Sequence, residues 1–300
     1  MYPLTYTEPV FRPPSEWNSL ILQVTNGCSW NRCSFCEMYS AGNKKFKPKK
    51  VELIEQEIMS IAQSGLPVGR IFLADGDAMM LPFKRLKEIL LLIKQYLPQV
   101  TRVSSYCLPR NLTNKTVEQL SELQSLGLKL MYVGCESGDD EVLKVIDKGE
   151  TYQSSLVALN KIKQSGMKSS VMILNGLGGP ELSEQHAINS ARLMNEAQPD
   201  FLSTLVVSFP QGEERFAKPF IDNQYQPFRL LTQLELFNEM KLLLSELELE
   251  KTVFRSDHAS NYLVLKGILG KDKKRLVNTV QMAVDQSGSI PIRQEWERGI

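Results

Sequence analysis

Two kinds of segment alternate along the chain, and they differ in the spacing of their hydrophobic positions. One kind has apolar residues at helical spacing, and the other is a nearly continuous apolar run rich in β-branched residues. The stretches IAQSGLPVGRIFLADGD, LQSLGLKLMYVGCES and IKQSGMKSSVMILNGLGG share one order: an amphipathic run, a glycine, and an apolar strand. Continuous apolar strands are typical of a parallel sheet that is buried on both faces.

The pattern predicts six strands and five intervening helices. The strands are expected near Ser19–Thr25, Arg70–Ala74, Arg102–Tyr106, Leu128–Gly134, Ser169–Leu174 and Leu202–Phe209. The helices are expected near Val51–Ser64, Phe83–Tyr96, Thr116–Ser125, Tyr152–Ser165 and Glu184–Ala197. Gly65, Gly127 and Gly166 suit helix C-caps, where a left-handed backbone is needed.

Beyond Phe209 the pattern loosens. It predicts a helix near Leu231–Leu247, a short strand near Thr252–Arg255 and a last helix near Asp272–Gln286. Alternating strands and helices imply right-handed crossovers and a curved parallel sheet. We therefore predict an α/β fold, a partial (β/α)6-type barrel over residues 18–210, with an extended N-terminal arm (1–17) and a C-terminal α/β extension (211–300) that packs on the barrel.

Composition describes an ordinary globular protein. The chain has 300 residues, 42% of them hydrophobic, and 35 basic residues balance 34 acidic ones. A net charge of +1 gives no support to a broad nucleic-acid-binding surface. We find neither a signal-peptide pattern nor a membrane-spanning stretch, so a cytoplasmic location is expected. In a reducing compartment, clustered cysteines indicate metal or redox chemistry rather than structural disulfides.

The stretch NGCSWNRCSFCEMY places Cys28, Cys33 and Cys36 directly after the first predicted strand. Three interpretations compete for this cluster. A structural zinc site needs four ligands, and neither histidine, His186 or His258, is near the loop in sequence. A disulfide or thiol redox site leaves one cysteine unexplained. An iron–sulfur cubane held by three thiolates leaves one iron open to a reactant, and this interpretation is favoured.

The three cysteines, at this place after the first strand, resemble the cluster motif of the radical S-adenosylmethionine (SAM) superfamily. That family usually has three residues between its first two cysteines. This chain has four, giving a CX4CX2C motif that resembles a poorly characterised branch of the family. Three later strand-end stretches, LADGDAMM, YVGCESGDDEVLKVIDKG and VMILNGLGGPE, resemble the family's SAM-binding segments in order.

The resemblance implies a [4Fe–4S] cluster on Cys28, Cys33 and Cys36, with SAM bound at its open iron. It also implies SAM contacts at the strand ends, although it does not decide between Asp75 and Asp77 for the second stretch. The implied contacts are Phe35 near adenine, Gly76 and Asp77 at the amino group, Glu136, Ser137 and Lys148 at ribose and carboxylate, Leu174 and Gly176 as a backbone platform for adenine, and Arg192 at the carboxylate.

Other residues have plainer interpretations. Asp75 and Asp77 could simply cap a loop, Cys107 and Cys135 are expected to be small core residues, and His186 is expected at the surface. The lysine-rich stretch KKFKPKK, residues 44–50, is interpreted as a solvated loop, with contact to a phosphate-bearing substrate as the alternative. His258 and Asp257, in the stretch RSDHASN, could contact substrate or handle a proton, or could be structural.

The function implied by the resemblance is reductive cleavage of SAM to a 5′-deoxyadenosyl radical, which abstracts hydrogen from an unknown substrate. A small-molecule substrate is expected, with an external electron donor such as flavodoxin or ferredoxin and with neither membrane nor nucleic acid as partner. Two alternatives stay open at this point: an iron–sulfur electron-transfer or sensor protein without SAM chemistry, and a zinc-stabilised binding module.

Overall fold

A computed structural model of the chain describes residues 4–210, 212–286, 288 and 290–299. Its strands alternate with helices as the hydrophobic pattern predicts. The strands are β1 (Leu20–Gln23), β2 (Thr25–Asn26), β3 (Lys47–Pro48), β4 (Arg70–Ala74), β5 (Arg102–Cys107), β6 (Leu128–Glu136), β7 (Lys168–Asn175), β8 (Phe201–Val206), β9 (Val253–Ser256) and β10 (Leu265–Ile268).

The helices agree closely with the predicted ranges in the first two thirds of the chain. They are α1 (Val51–Gln63), α2 (Phe83–Tyr96), α3 (Val117–Ser125), α4 (Asp140–Val145), α5 (Tyr152–Gln164), α6 (Gly179–Ala197), α7 (Glu214–Asp222), α8 (Gln233–Glu246) and α9 (Leu269–Val284). No described helix is both long enough and apolar enough to cross a membrane.

The chain forms two compact units. The first contains residues 4–31, 38–133 and 160–169, and the second contains 32–37, 134–159 and the described residues from 170 onwards. These units do not follow the boundaries expected at 17/18 and 210/211, which stay predictions. The last helix, predicted near Asp272–Gln286, begins three residues earlier and ends two residues earlier, as α9 (Leu269–Val284).

In the first unit the strands pair in the order β1, β4, β5, β6, and every one of these pairs is parallel. Leu20 pairs with Ile71, and Val103 pairs with Leu128, after which the register between β5 and β6 shifts by one residue so that Ser104 pairs with Leu130. Ile71, Phe72, Leu73 and Ala74 of β4 are all buried. A continuous buried run means that both faces of the strand are covered, as predicted for a parallel sheet.

In the second unit β7 pairs with β8 and β8 with β9, both parallel, whereas β9 pairs with β10 in the antiparallel direction. The fold is therefore mixed α/β with a mostly parallel sheet, and the predicted class is confirmed. β10, α4 and α7 were not predicted. Pro219 lies inside α7, and a proline within a helical pattern normally argues against a helix.

Two segment ends differ from prediction for identifiable reasons. α6 begins at Gly179, five residues before the predicted Glu184, because Pro180 suits the first turn of a helix, where its missing N–H is not needed. The N-terminal arm lacks strand or α-helix between residues 4 and 13, as expected, but it is anchored. Buried Glu16 accepts hydrogen bonds from Arg102 Nη2 and the Tyr132 hydroxyl, each at 2.7 Å.

Glycine at position 65 follows α1 with a φ of +68°, as the predicted C-cap requires, and a Cβ there would meet no neighbouring atom. Only backbone strain therefore opposes a side chain. We expect Gly65→Ala to lower the free energy of unfolding by about 1 kcal/mol, measured by chemical denaturation. Gly42→Ala is the matched control, because it too meets open space but has no left-handed φ. Equal effects of the two substitutions would contradict this explanation.

Candidate functional site

In the first unit the residues Asp75, Gly76 and Asp77 directly follow β4. The carboxyl ends of parallel strands are where α/β folds gather their chemistry. Both aspartates are fully buried, and each uses one carboxylate oxygen to hold a neighbouring segment. A buried carboxylate is costly unless it is compensated, so the partners of each aspartate indicate its role.

Asp75 forms an ion pair with Lys44, whose Nζ lies 2.6 Å from Asp75 Oδ2, and neither side chain is exposed to solvent. Lys44 Nζ also donates to the Thr7 carbonyl at 2.6 Å and to Asn26 Oδ1 at 3.3 Å. The same Asp75 oxygen accepts the backbone N–H of Gly27 at 3.1 Å. The prediction of a solvated loop is therefore wrong for Lys44, because its charge is needed inside the protein to neutralise Asp75.

Asp77 holds the residue that follows the first cysteine of the motif. Its Oδ2 accepts hydrogen bonds from the Ser29 backbone N–H, at 3.2 Å, and from the Ser29 hydroxyl. Its other oxygen, Oδ1, is buried and accepts no hydrogen bond from any described residue. Burial raises the pKa of Asp77, and the hydrogen bonds from Ser29, the nearby Asn111 side chain and the charge of Arg110 oppose that rise. A buried carboxylate oxygen that accepts no hydrogen bond, such as Asp77 Oδ1, suits a cationic hydrogen-bond donor.

Gly76 lies against the ring of Tyr39, and a Cβ at this position would overlap that ring. Tyr39 is buried, and its carbonyl accepts a hydrogen bond from Asn31 Nδ2 at 3.1 Å. Packing of the tyrosine therefore explains why a glycine is needed here. The predicted contact of Gly76 with the SAM amino group stays a prediction.

Cys28 is partly exposed, belongs to the first unit and is joined to Lys45 by an isolated β-bridge. Cys33 and Cys36 belong to the second unit, where the Cys36 N–H donates to the Cys33 carbonyl at 3.2 Å. Arg215 of α7 holds this turn from outside. Its guanidinium donates to the Cys33 carbonyl at 3.2 Å and to the Cys36 carbonyl at 3.3 Å.

The chemistry of the loop fits an iron–sulfur cluster. Its three side chains are thiols, and no disulfide joins any of the five cysteines, all of which lie within the described ranges. Among the residues that the structure describes, no three His, Cys, Asp or Glu side chains are gathered as ligands of one metal ion. A cubane is held differently, because each thiolate binds a different iron. The assignment of ligands therefore depends on residue type and spacing.

At the end of β6, Glu136 and Lys148 form a second buried ion pair, with Lys148 Nζ 3.0 Å from Glu136 Oε1. The ammonium of Lys148 also lies 5.7 Å from the centroid of the Phe35 ring. Burial alone would lower the pKa of Lys148, but the Glu136 carboxylate holds it above its ordinary value. Lys148 therefore carries a positive charge beside Phe35, as a partner for an anion would.

Ser137 and His186 connect the ends of β6 and β7. His186 Nε2 lies 3.0 Å from the Leu174 carbonyl, which can only accept, so the ring proton is on Nε2. The other nitrogen, Nδ1, forms a hydrogen bond with the Ser137 hydroxyl at 2.8 Å. His186 is only 1% exposed, and the prediction of a surface histidine is wrong. The role of Ser137 in SAM binding stays a prediction.

The turn after β7 is held by a glutamate of α8. Glu239 is buried, and its Oε1 accepts the backbone N–H of Gly176 at 2.7 Å, while Oε2 accepts the Ser183 hydroxyl at 2.5 Å. Burial raises the pKa of Glu239, and these hydrogen bonds together with nearby His186 oppose the rise. The backbone at Leu174 and Gly176, predicted as an adenine platform, is thus fixed by contacts from α6 and α8.

Arg192, Asp257 and His258 were also predicted as site residues, and each has contacts of its own. The Arg192 side chain is 69% exposed, pairs with Glu196 and lies over the Tyr152 ring, so its contacts give no support to a SAM-carboxylate role. Asp257 pairs with Lys266 at 2.9 Å. His258 accepts the Ser260 N–H at Nδ1, and burial and Arg293 lower its pKa, so it is a neutral ring with its proton on Nε2.

Cys107 and Cys135 are buried, which confirms their prediction as core residues. Burial raises the pKa of the Cys135 thiol to about 12, so it stays protonated. Met79 is buried and Met80 is partly exposed.

Sequence reasoning missed Lys44, Ser29, Arg215 and Glu239. For His186 a signal existed, because Leu182, Leu193 and Ala197 share its face of α6 and are buried. The other residues reach their partners over long separations in sequence, for example 182 residues between Arg215 and Cys33.

A model of the radical SAM superfamily matches residues 22–194, more than half of the chain. The chain therefore belongs to the radical SAM superfamily. The cofactors that define this family are a [4Fe–4S] cluster and SAM, and family members generally need an electron donor.

Individual relatives are distant. The heme chaperone HemW of Buchnera aphidicola subsp. Schizaphis graminum is 19% identical over 213 residues, covering 69% of this chain and 55% of that protein. The chain spans about half the length of the curated relatives that it matches.

Two solved structures of radical SAM proteins resemble the fold of this chain. Coproporphyrinogen III oxidase (HemN) from Escherichia coli, a radical SAM enzyme, has a TM-score of 0.57 and 18% identity, over 76% of this chain and 52% of that one. The radical SAM methyltransferase TsrM from Kitasatospora setae, solved with cobalamin and a [4Fe–4S] cluster bound, has a TM-score of 0.50 and 20% identity, over 63% and 36%. These likenesses show the fold alone and confirm its class as the partial barrel of radical SAM proteins.

The Lys44–Asp75 pair makes a stability prediction. Lys44→Met leaves the Asp75 carboxylate buried without its cation, which should lower the free energy of unfolding of the apoprotein by about 3–5 kcal/mol. Adding Asp75→Asn removes that charge, so the double variant should recover most of the loss in chemical denaturation. A double variant no more stable than Lys44→Met alone would contradict this account of the pair.

Proposed function

We propose that this chain is a radical SAM enzyme in which Cys28, Cys33 and Cys36 are the cluster ligands. When bound, the cluster and SAM supply a reductive cleavage that gives a 5′-deoxyadenosyl radical for hydrogen abstraction. The residues of the chain bind and orient SAM and exclude water from the reacting groups. The substrate is proposed to be a small molecule.

The observation that carries this proposal is the pair of hydrogen bonds between Ser29 and Asp77. They tie the residue next to Cys28 to the end of β4, and Asp77 Oδ1 is buried and accepts no hydrogen bond from any described residue. The SAM amino group is a cationic donor that such an oxygen would accept. Asp75 is less suited to this role, since Lys44 already neutralises it. Asp77 is therefore the proposed partner of the amino group.

Other residues are proposed to bind the rest of SAM. Lys148 is a buried cation that could bind the carboxylate, and Glu136 could accept hydrogen bonds from ribose hydroxyls. Phe35 beside Lys148 offers an apolar ring for the adenine. The Glu239 carboxylate orients the Gly176 backbone. Glu239 is therefore proposed as a positioning residue for the adenine platform.

His258 is the proposed proton-handling residue of the C-terminal extension. A lowered pKa keeps its ring neutral, and Nδ1 is occupied by Ser260, so Nε2–H is the group that could face a substrate. Asp257 raises the pKa of His258 only as a lesser influence, and its own ion pair with Lys266 weakens its case.

Three other functions make different predictions. An iron–sulfur carrier or sensor would bind a reducible cluster without cleaving SAM, and a zinc module would bind zinc without acid-labile sulfide. The similarity to HemW, a heme chaperone, raises heme binding as a third possibility. The Ser29–Asp77 arrangement favours SAM binding over each of these.

Anaerobic reconstitution should give about four irons per chain, and addition of dithionite and SAM should release 5′-deoxyadenosine, measured by liquid chromatography. Cys33→Ala should lose this activity, because a cluster ligand is missing, whereas Cys135→Ala, in a buried cysteine outside the motif, should keep it. An undiminished rate in Cys33→Ala would disprove the ligand assignment.

The two aspartates should differ in SAM affinity. Asp77→Asn removes the charge from a hydrogen bond to the amino group, and we expect SAM binding to weaken about 10- to 100-fold. The Lys44→Met/Asp75→Asn double variant, which leaves no buried unpaired charge, should bind within about threefold of the wild type. Equilibrium dialysis with the anaerobically reconstituted proteins measures both. A greater loss in the double variant would assign the amino group to Asp75.

A further inference from the structure

The lysine-rich stretch between residues 44 and 50 lies directly beside the first cysteine of the motif. β3 pairs with β2 in the antiparallel direction, with Lys47 opposite Asn26, and the isolated bridge then joins Lys45 to Cys28. The stretch contains five lysines in seven residues, in a chain whose net charge is only +1. Positive charge is thus concentrated on the segment that pairs with the strand leading to Cys28.

Two of these lysines are neutralised within the protein. Lys44 pairs with Asp75 in the interior, and Lys49 pairs with Glu57 of α1. Lys45, Lys47 and Lys50 are exposed. We call these three side chains the lysine face. An exposed group of like charges gains little for stability and acts mainly on the rate and orientation of association with an oppositely charged partner.

We propose that the lysine face is the docking surface for an acidic electron-transfer protein that reduces the cluster. This inference rests on the proposed function. One electron passes from the reduced carrier to the oxidised cluster; the carrier is oxidised by one electron, the cluster is reduced by one, and no proton or bond is exchanged. Electron transfer weakens steeply with distance, so a carrier must dock near a cluster ligand.

The geometry favours this partner for two reasons. Cys28 is itself partly exposed, and the lysine face belongs to the same backbone pairing as Cys28, so a carrier docked there approaches a proposed ligand. Electron-transfer complexes are also weak and small, and complementary charge can supply most of their orientation without a large apolar interface.

The test measures cluster reduction by reduced flavodoxin in anaerobic stopped-flow experiments. In Lys45→Glu/Lys47→Glu/Lys50→Glu, the second-order rate constant at low ionic strength should fall by about tenfold or more, and its dependence on salt should flatten. Dithionite is an anion, so the chemical control is a neutral photoreduced deazaflavin. With deazaflavin as the reductant, the cluster of the lysine-face variant should be reduced at the wild-type rate. The variant should then also cleave SAM at the wild-type rate.

The matched control is Lys271→Glu/Lys273→Glu/Lys274→Glu on α9, which changes the net charge by the same amount. Its rate with flavodoxin should stay within about twofold of the wild type. Equal losses in both variants would show an effect of net charge alone and would overturn the proposal. No loss in the lysine-face variant would overturn it as well.

Failure of this inference can be distinguished from failure of the proposed function. If the wild type binds no cluster, or does not cleave SAM with deazaflavin as reductant, the proposed function fails and the docking surface fails with it. If SAM cleavage is normal but flavodoxin reduces the wild type and the lysine-face variant at the same rate, only the docking surface fails. Salt-sensitive binding of RNA, lost in the lysine-face variant while flavodoxin reduction persists, would assign the surface to nucleic acid and overturn the proposal.

Discussion

The ion pair between Lys44 and Asp75 organises the first unit, because neither charge could be buried without the other. Through that pair and its hydrogen bonds, the N-terminal arm at Thr7, β2 at Asn26 and the turn at Gly27 are all tied to the end of β4. The position of Cys28, one residue after Gly27, follows from this constraint.

The pair also separates the roles of two similar residues. Asp75 and Asp77 are two positions apart, equally buried and each left with one oxygen that no described residue satisfies. Asp75 has the Lys44 ammonium as its partner, whereas Asp77 is held by hydrogen bonds from Ser29, with further support from the Asn111 side chain and the charge of Arg110. In the second unit Lys148 is a buried cation that is paired with Glu136 and lies beside the Phe35 ring.

The segments beyond residue 209 contribute to the proposed site through backbone contacts. Arg215 of α7 binds the carbonyls of Cys33 and Cys36, and Glu239 of α8 binds the N–H of Gly176. The aromatic residues around α7 explain why it holds its place, since Phe216 packs against Phe209 and Phe228 with ring centroids 4.6 and 4.4 Å apart. Such contacts fix loops that have little regular structure of their own.

The amino-acid pattern predicts most strands and helices and the strand ends where the proposed site lies, because burial on both faces produces continuous apolar runs. It also predicts the left-handed glycine at position 65. It does not predict that Lys44 is buried, since a lysine-rich stretch normally stays in solvent and only the distant Asp75 reverses this. Nor does it predict α7, because Pro219 interrupts the helical signal and the aromatic contacts that stabilise α7 depend on the folded chain.

The central claim is that SAM binds at the open iron of a cluster held by three cysteines. Electron paramagnetic resonance of the reconstituted and reduced protein, recorded with and without SAM, tests it most directly. We expect the signal of a reduced [4Fe–4S] cluster to change in shape and g values when SAM is added, because the ligand alters one iron. A cluster signal that saturating SAM leaves unchanged would contradict the claim.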